Sequence, residues 1–355
     1  MEPRDLSGHV AYEAGRGHEE VAREIGIDPD ELVVLSSNEN PLGPSPAAVE
    51  AVREYAGGVN RYPKAAHADL RAAIAGKWDV DTAQVWLSAG GDGGLDYLHR
   101  ALLEPGDDVL VPDPGFAYYA MSARYHHGGV RTYPLRKADG FAQTPERVLD
   151  AYDGERVVYA ISPHSPTGSE LDVEAARELA DRTDEGTLLL VDEAYAEFSE
   201  DPSAAILLGE RDDVAVLRTF SKAYGLAGLR VGYVLAPPEW ADAYAKVNTP
   251  FAVNELACRG ALAALDDQAH VRASVETARW AREYMHDNLD APTWESGGNF
   301  VLAEVGDAAA VAADCQQRGV VVRDCSSFGL PDCVRITCGT RPETERAVEA
   351  LDAVA

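Results

Sequence analysis

The stretch Val216-Leu217-Arg218-Thr219-Phe220-Ser221-Lys222-Ala223-Tyr224-Gly225-Leu226-Ala227-Gly228-Leu229-Arg230-Val231-Gly232-Tyr233 decides how the chain is read. An apolar strand ends in hydroxyls, one lysine follows, then small residues, and Arg230 stands eight positions past the lysine. The chain holds only five lysines against twenty-six arginines, so a lysine kept inside an apolar, glycine-rich segment is not a mere solubility charge. Desolvation favours the neutral amine, and a neutral amine attacks carbonyl carbon. Lys222 is therefore read as a carbonyl-trapping nucleophile. Thr219 and Ser221 add hydroxyl donors, and Arg230 adds a planar fork suited to phosphate. Together they read as the seat of a phosphorylated aldehyde.

Upstream, Thr187-Leu188-Leu189-Leu190-Val191 has the unbroken apolar character of a strand buried on both faces, and it ends in Asp192-Glu193-Ala194-Tyr195. A carboxylate at that point is costly unless it is paired. Val157-Val158-Tyr159-Ala160-Ile161 enters Ser162-Pro163-His164-Ser165-Pro166-Thr167-Gly168, a proline-bracketed turn that fixes its side chains. His164 is read there as a turn residue. Asp108-Val109-Leu110-Val111 leads to Pro112-Asp113-Pro114-Gly115-Phe116, which puts an aromatic at a strand's carboxyl end, where it can cover a flat ring. Val85-Trp86-Leu87 runs into Ser88-Ala89-Gly90-Gly91-Asp92-Gly93-Gly94 and then a helix with Leu95, Leu98, Ala101 and Leu102 on one face. Free N–H groups and the helix dipole at such a start hold an anion, so Gly90, Gly91, Asp92 and Gly93 are candidate phosphate contacts. The turn is not a dinucleotide fingerprint, because Asp96 stands where the third glycine belongs, and no G-K-[ST] follows.

Strands expected near 85, 109, 130, 157, 187, 214 and 231, mostly separated by helical segments, predict an α/β fold. It has a doubly wound, mostly parallel sheet with helices on both faces and the candidate residues at successive carboxyl ends. Beyond a helix around Glu239 to Lys246, long helices and short strands (Phe300-Val301-Leu302, Val320-Val321-Val322-Arg323, Val334-Arg335-Ile336-Thr337) predict a smaller α+β domain closed by a helix from Pro342 to Ala353. The opening residues form an arm: a helix over Glu19 to Ile25 stopped by Gly26, then a strand over Leu32 to Leu35. The expected division is an arm over 1–35 associated with the small domain, a large cofactor-binding domain over 36–246 and a small domain over 247–355. Between arm and large domain, Asn38-Glu39-Asn40 sets three polar side chains ahead of a proline, a trio able to line a pocket, with Asn40 a candidate substrate contact.

A chain of 355 residues with 46% hydrophobic composition is long enough for two lobes. Its net charge of −29 argues against nucleic-acid and anionic-membrane partners, whose phosphates it repels. Few lysines and abundant acid suit a salt-rich cytoplasm, where self-repulsion is screened. No apolar run reaches a membrane-spanning length, and the start Met1-Glu2-Pro3-Arg4-Asp5 lacks a secretory core, so a soluble cytoplasmic protein is expected. All five cysteines lie in the last hundred residues and none forms a C-x-x-C pair, which reads as reduced thiols without a metal.

Pyridoxal 5'-phosphate is the phosphorylated aldehyde these residues suit. It needs a lysine, a carboxylate for its ring nitrogen, donors for its 3-oxygen and a phosphate cradle. Lys222, Asp192, Tyr195 with Ser165, and the Gly90 turn with Thr219, Ser221 and Arg230 answer these in turn. Lys222, once released by substrate, is expected to act as general base.

The segments running 36–46 (S-S-N-E-N-P-L-G-P-S-P), 60–63 (N-R-Y-P), 166–168 (P-T-G), 191–195 (V-D-E-A-Y) and 221–233 together resemble the fold-type I, class I/II aminotransferases over nearly the whole chain. With a tyrosine arm at Tyr12 and the ending C-V-R-I-T-C-G-T-R over 333–341, the resemblance extends to members that act on histidinol phosphate with 2-oxoglutarate. It implies that Phe116 stacks on the cofactor ring and that Arg323 and Arg335 meet the substrate anion, with Tyr12 assisting. Tyr62 would reach the phosphate in the other subunit of a homodimer. Two positions depart from the family: Ser165 stands where an asparagine usually precedes P-T-G, and Gly93 where an acidic residue is common. If the serine does not reach, Tyr195 carries the 3-oxygen alone. An aromatic amino acid aminotransferase, a phospho-amino-acid decarboxylase and a pyridoxal-binding regulator remain alternatives on the same scaffold.

Overall fold

The computed structural model describes residues 6, 7, 9, 18–64 and 67–354, so the expected contact at Tyr12 lies outside the described residues. The described strands are β1 (Val33–Leu35), β2 (Val85–Ser88), β3 (Asp108–Asp113), β4 (Gly129–Pro134), β5 (Val157–Ile161), β6 (Leu188–Asp192), β7 (Val214–Thr219), β8 (Gly232–Leu235), β9 (Thr293–Trp294), β10 (Phe300–Glu304), β11 (Val320–Asp324) and β12 (Cys333–Thr337). All seven strands expected for the large sheet form, in the order β2-β8-β7-β6-β5-β3-β4. Pairings among β4, β3, β5, β6 and β7 are parallel, and β8 runs antiparallel to both β2 and β7. The short connection from β7 to β8 carries no helix long enough for a crossover, so the chain turns straight back.

Each central strand is buried along its length, and alternate residues serve opposite faces. Val157, Tyr159, Leu188, Leu190, Ala215 and Leu217 pack on one side with Leu95 and Leu98 of the helix Gly90–Leu102. Val158, Ala160, Leu189, Val191, Val214 and Val216 pack on the other with Leu179 of the helix Val173–Arg182. Asp192 and Thr219 therefore continue the face that carries the glycine-rich helix start.

The second sheet has the order β1-β11-β12-β10-β9, antiparallel except for β1, which runs parallel to β11 with Val33 opposite Val320. The arm helix His18–Ile25 ends at Gly26, whose φ of +76° closes the turn. The expected change of lobe at residue 246 is not where the packing changes. The helix Glu255–Asp266 lies on the helices Pro46–Tyr55 and Ala68–Trp78 beside the large sheet. Gly260 there sits so close that a Cβ would fall 2.8 Å from Leu229. The helix Gln268–Asn288 then bridges the lobes, with Ser274 bonded to Asn40 near one end and packing against β10 and the closing helix Arg341–Asp352 elsewhere. The sequence predicts long helices in this stretch, without bounds, and carries no information about which sheet they cover.

Candidate active site

A pocket of about 540 Å³ opens between the carboxyl ends of β6 and β7 and the face of the second sheet. It is lined by Lys222, Asp192, Tyr195, Ser165, Phe116, Thr219, Ser221, Gly91, Asp92, Arg230, Arg323 and Arg335 from the sequence expectations. The structure thus gathers twelve candidates from segments up to 244 residues apart (335 − 91).

Asp192 is the last residue of β6 and is buried. Its carboxylate accepts from the Tyr119 hydroxyl at 2.7 Å and from the Ala194 N–H at 2.9 Å. Burial outweighs those bonds and raises its pKa to about 6, so a cationic N–H donor placed against it would be favoured. Lys222 follows β7 in a tight turn closed by Gly225 N–H donating to the Lys222 carbonyl at 3.0 Å. Gly225 has a φ of +69°, and a Cβ there would meet the Gly43 carbonyl oxygen at 2.2 Å, so only glycine lets this turn pack against the loop before the helix Pro46–Tyr55. The Lys222 ammonium donates to the Ser37 carbonyl at 3.1 Å and lies 5.5 Å from the centre of the Tyr195 ring.

The Tyr195 hydroxyl accepts from Asn38 Nδ2 at 3.0 Å. Burial alone would raise its pKa, yet Lys222, Arg335 and the bonds from Asn38 and Ser165 bring it below the ordinary phenol value. Ser165 accepts from Arg335 Nη1 at 2.9 Å, so its hydroxyl sits between the second sheet and the phenol. His164 is buried beside it, bonded to Thr167 at 2.7 Å, and burial lowers its pKa to about 3. An uncharged histidine facing its own turn fits the reading as a turn residue.

The glycine-rich helix begins at Gly90 itself. Gly90 has a φ of +77°, and a Cβ there would lie 2.5 Å from the Arg230 guanidinium, so a side chain would fill the concavity between helix start and arginine. Arg230 also pairs with Asp92 at 2.9 Å, while burial, against that pairing, raises the Asp92 carboxyl. Thr219 donates to Ser221 Oγ at 2.9 Å, and both hydroxyls line the same corner. Gly93 is not on the pocket wall, since it points back toward Ala89 and Ser88 with ordinary clearance.

Across the pocket, Arg323 on β11 and Arg335 on β12 are direct register partners. Like charges opposite one another weaken a sheet, so this pair suits a site whose ligand is anionic. Phe328 lies between them, 5.5 Å from Arg323 and 5.8 Å from Arg335. Arg335 also donates to the Ser36 carbonyl at 2.9 Å.

Besides Gly93, two expected residues do not join the site in this chain. Asn40 spends its amide on the Ala223 carbonyl at 2.9 Å and Ser274 at 2.8 Å, and accepts from Leu42 N–H at 3.0 Å, so it clamps the loop under Lys222 and does not line the pocket. Tyr62 is 83% exposed beside Phe251, 4.9 Å between ring centres. Residues that sequence reasoning passed over are Tyr119 and Phe328; of the polar trio Asn38-Glu39-Asn40, Glu39 lines the pocket and Asn38 meets the Tyr195 hydroxyl. Tyr119 was visible as an aromatic one helical turn after Phe116. Nothing local to Asn38 distinguished it from Asn40.

A doubly wound sheet whose lysine and carboxylate share one pocket with paired arginines of a second sheet puts the chain among two-lobed α/β transferases. More particularly, it belongs to the aminotransferase class I and II family, matched over residues 30–351. It is 66% identical over 354 residues to a histidinol-phosphate aminotransferase of Haloarcula marismortui, covering 100% of this chain and 98% of that protein. It is likewise 66% identical over 352 residues to one of Natronomonas pharaonis, with 99% of each covered. Among solved structures, the histidinol-phosphate aminotransferase from Sinorhizobium meliloti in complex with pyridoxal-5'-phosphate superposes with a TM-score of 0.86 at 28% identity, covering 96% of this chain and 95% of that one.

Proposed function

We propose that the chain uses pyridoxal 5'-phosphate to transfer the amino group of histidinol phosphate to 2-oxoglutarate, as a cytoplasmic homodimer. The observation that carries this reading is the shared pocket, in which Lys222 and a buried Asp192 face a pair of register-matched arginines. The residues fit the cofactor. Asp192 would hold the ring nitrogen, Tyr195 and Ser165 the 3-oxygen and Phe116 the ring face. Gly90, Gly91, Thr219, Ser221 and Arg230 would hold the phosphate, with Asp92 orienting Arg230 and Gly93 supporting the turn from behind. When bound, the cofactor supplies an electron-withdrawing ring that stabilises negative charge at the substrate α-carbon.

Lys222 Nζ, once substrate displaces it from the cofactor, takes the substrate α-proton, and the Ser37 carbonyl it meets in the chain alone lies within reach of the freed amine. Arg335 and Arg323 bind and orient the substrate's phosphate and the acceptor's carboxylate by forked, charge-assisted hydrogen bonds. The Phe328 ring lies against both guanidinium groups. Tyr62 and Phe251, exposed together near Val59, form an aromatic edge that suits a subunit interface. From there Tyr62 would reach the partner's phosphate. No helix among the described residues is long and apolar enough to cross a membrane.

The test is an amino-donor panel in high salt, following the absorbance change from the pyridoxal to the pyridoxamine form. Histidinol phosphate is expected to give the highest kcat/KM. A preference for phenylalanine would move the function to an aromatic amino acid aminotransferase.

A further inference from the structure

Three consecutive carbonyls, those of Ser36, Ser37 and Asn38, accept from Arg335 Nη2, Lys222 Nζ and Asn299 Nδ2 at 2.9, 3.1 and 3.1 Å. The segment that leaves β1 is therefore tied at successive residues to β12 of the second sheet, to the lysine and to the residue that directly precedes β10. Asn38 is its fixed point, 1% exposed and in the left-handed region at φ +53°, a conformation asparagine tolerates better than most residues.

The Asn38 amide is held in one orientation by two bonds to one hydroxyl. Thr337 Oγ1, on β12, accepts the Asn38 backbone N–H at 2.9 Å. The same hydroxyl donates to Asn38 Oδ1 at 3.1 Å, which holds the amide oxygen toward Thr337. The amide nitrogen then faces the other way and donates to the Tyr195 hydroxyl oxygen at 3.0 Å. A phenol oxygen that already accepts from Asn38, and on its other side from Ser165, directs its own O–H away from both.

We propose that Asn38 is a positioning residue for the transamination: its amide, held in one orientation by Thr337 of the second sheet, makes the Tyr195 oxygen an acceptor and turns the phenol proton toward the pocket. This rests on the pyridoxal reading only in naming the cofactor's 3-oxygen as the group the phenol meets. The device links the two lobes, because the donor to Tyr195 is oriented by a strand that also carries Arg335. It also supplies an amide donor to the 3-oxygen system of a chain that has serine at position 165. The other charged and titratable groups facing the phenol are Lys222, Arg335 and Tyr119, with the Phe300 ring 5.2 Å away.

The experiment reads ionisation of Tyr195 in the cofactor-free protein, as the ultraviolet difference between each variant and its Tyr195→Phe counterpart across the alkaline range. Asn38→Asp exchanges the donor for an acceptor and should make the phenol hold its proton about tenfold more tightly. Thr337→Val removes the hydroxyl that orients the amide and should act in the same direction, whereas Thr337→Ser keeps the hydroxyl and should retain the wild-type titration. In the cofactor-loaded enzyme the first two variants should lower kcat more than they alter KM. A phenol that titrates alike in wild type, Asn38→Asp and Thr337→Val overturns the proposal, as does a Thr337→Ser variant that behaves like valine. If Asn38→Asp does not fold, the Thr337 pair still decides. Because the titration needs neither cofactor nor substrate, its outcome is separate from which amino donor the enzyme takes.

Discussion

Asp192 and Lys222 reach the pocket because the first ends, and the second follows by three residues, a strand buried on both faces, whereas Arg323 and Arg335 reach it only because β11 and β12 pair antiparallel with these two residues in register. The first wall is set by local sequence: an apolar run must end, and its first polar residues emerge at the carboxyl edge. The second is conditional, since a slip of one residue would send a guanidinium to the opposite face of its sheet. The wall that answers to local sequence holds the groups for chemistry, and the wall that depends on register holds those for recognition. Substitutions on the first should cost rate with every substrate, and those on the second should change the ranking of substrates.

Lys222→Ala tests that division at its strongest. Loss of the only lysine in the pocket should abolish the absorbance band of covalently held pyridoxal phosphate and lower turnover by at least about 10⁴-fold for all donors alike. Retention of that band would show that another amine traps the cofactor. Asp192→Asn should leave the cofactor bound while lowering kcat by about 10²–10³-fold, because a neutral amide cannot hold a protonated ring nitrogen. Near-normal turnover would reduce Asp192 to a structural partner of Tyr119.

Arg323→Ala probes the recognition wall. Removing one charged, hydrogen-bonding fork should weaken histidinol phosphate by about 2 kcal/mol, or about 30-fold in kcat/KM, and leave phenylalanine nearly unchanged. Equal losses for the two donors would mean that both walls act on chemistry and would erase the contrast.

The smallest effect concerns the support behind the first wall. Burial lowers both His164, in the turn after β5, and His99, under the large sheet, from 6.5 to about 3. Between those values the unfolded chain binds protons that the folded chain does not, so stability falls as pH drops through that window, by about 1.4 kcal/mol per pH unit for each histidine. Asp192, raised from 3.8 to about 6, acts in the opposite sense: the folded state holds its proton, and that contribution is lost as pH rises through the interval. Denaturant unfolding of the cofactor-free protein at a series of pH values should therefore show a shallower acid loss in His164→Asn than in the wild type. An unchanged slope would mean that His164 carries its proton in the folded state.

Much of the first wall is legible in the linear sequence, from the seven strands of the large sheet to the carboxylate, lysine and glycine-rich helix start that cap them. Strand periodicity and strand ends are properties of a few consecutive residues, so a linear reading captures them. Tyr119 escaped because its partner is Asp192, 73 residues away, and only the alignment of β3 beside β5 and β5 beside β6 brings the two together. The exchange of roles between Asn38 and Asn40 has the same origin. Both are amides in one polar loop, and which of them meets the phenol is decided by Thr337 and Ser274, nearly 300 and more than 230 positions downstream. The helix Glu255–Asp266, expected with the small domain, lies against the large one because its apolar face fits two helices there, a choice its own periodicity does not encode. By itself, the sequence determined which residues end strands, which turn needs glycine and which amine is kept from solvent. Tertiary structure alone decided register, lobe membership and the polarity of each buried hydrogen bond, because these depend on complementarity between surfaces that only the folded chain brings into contact.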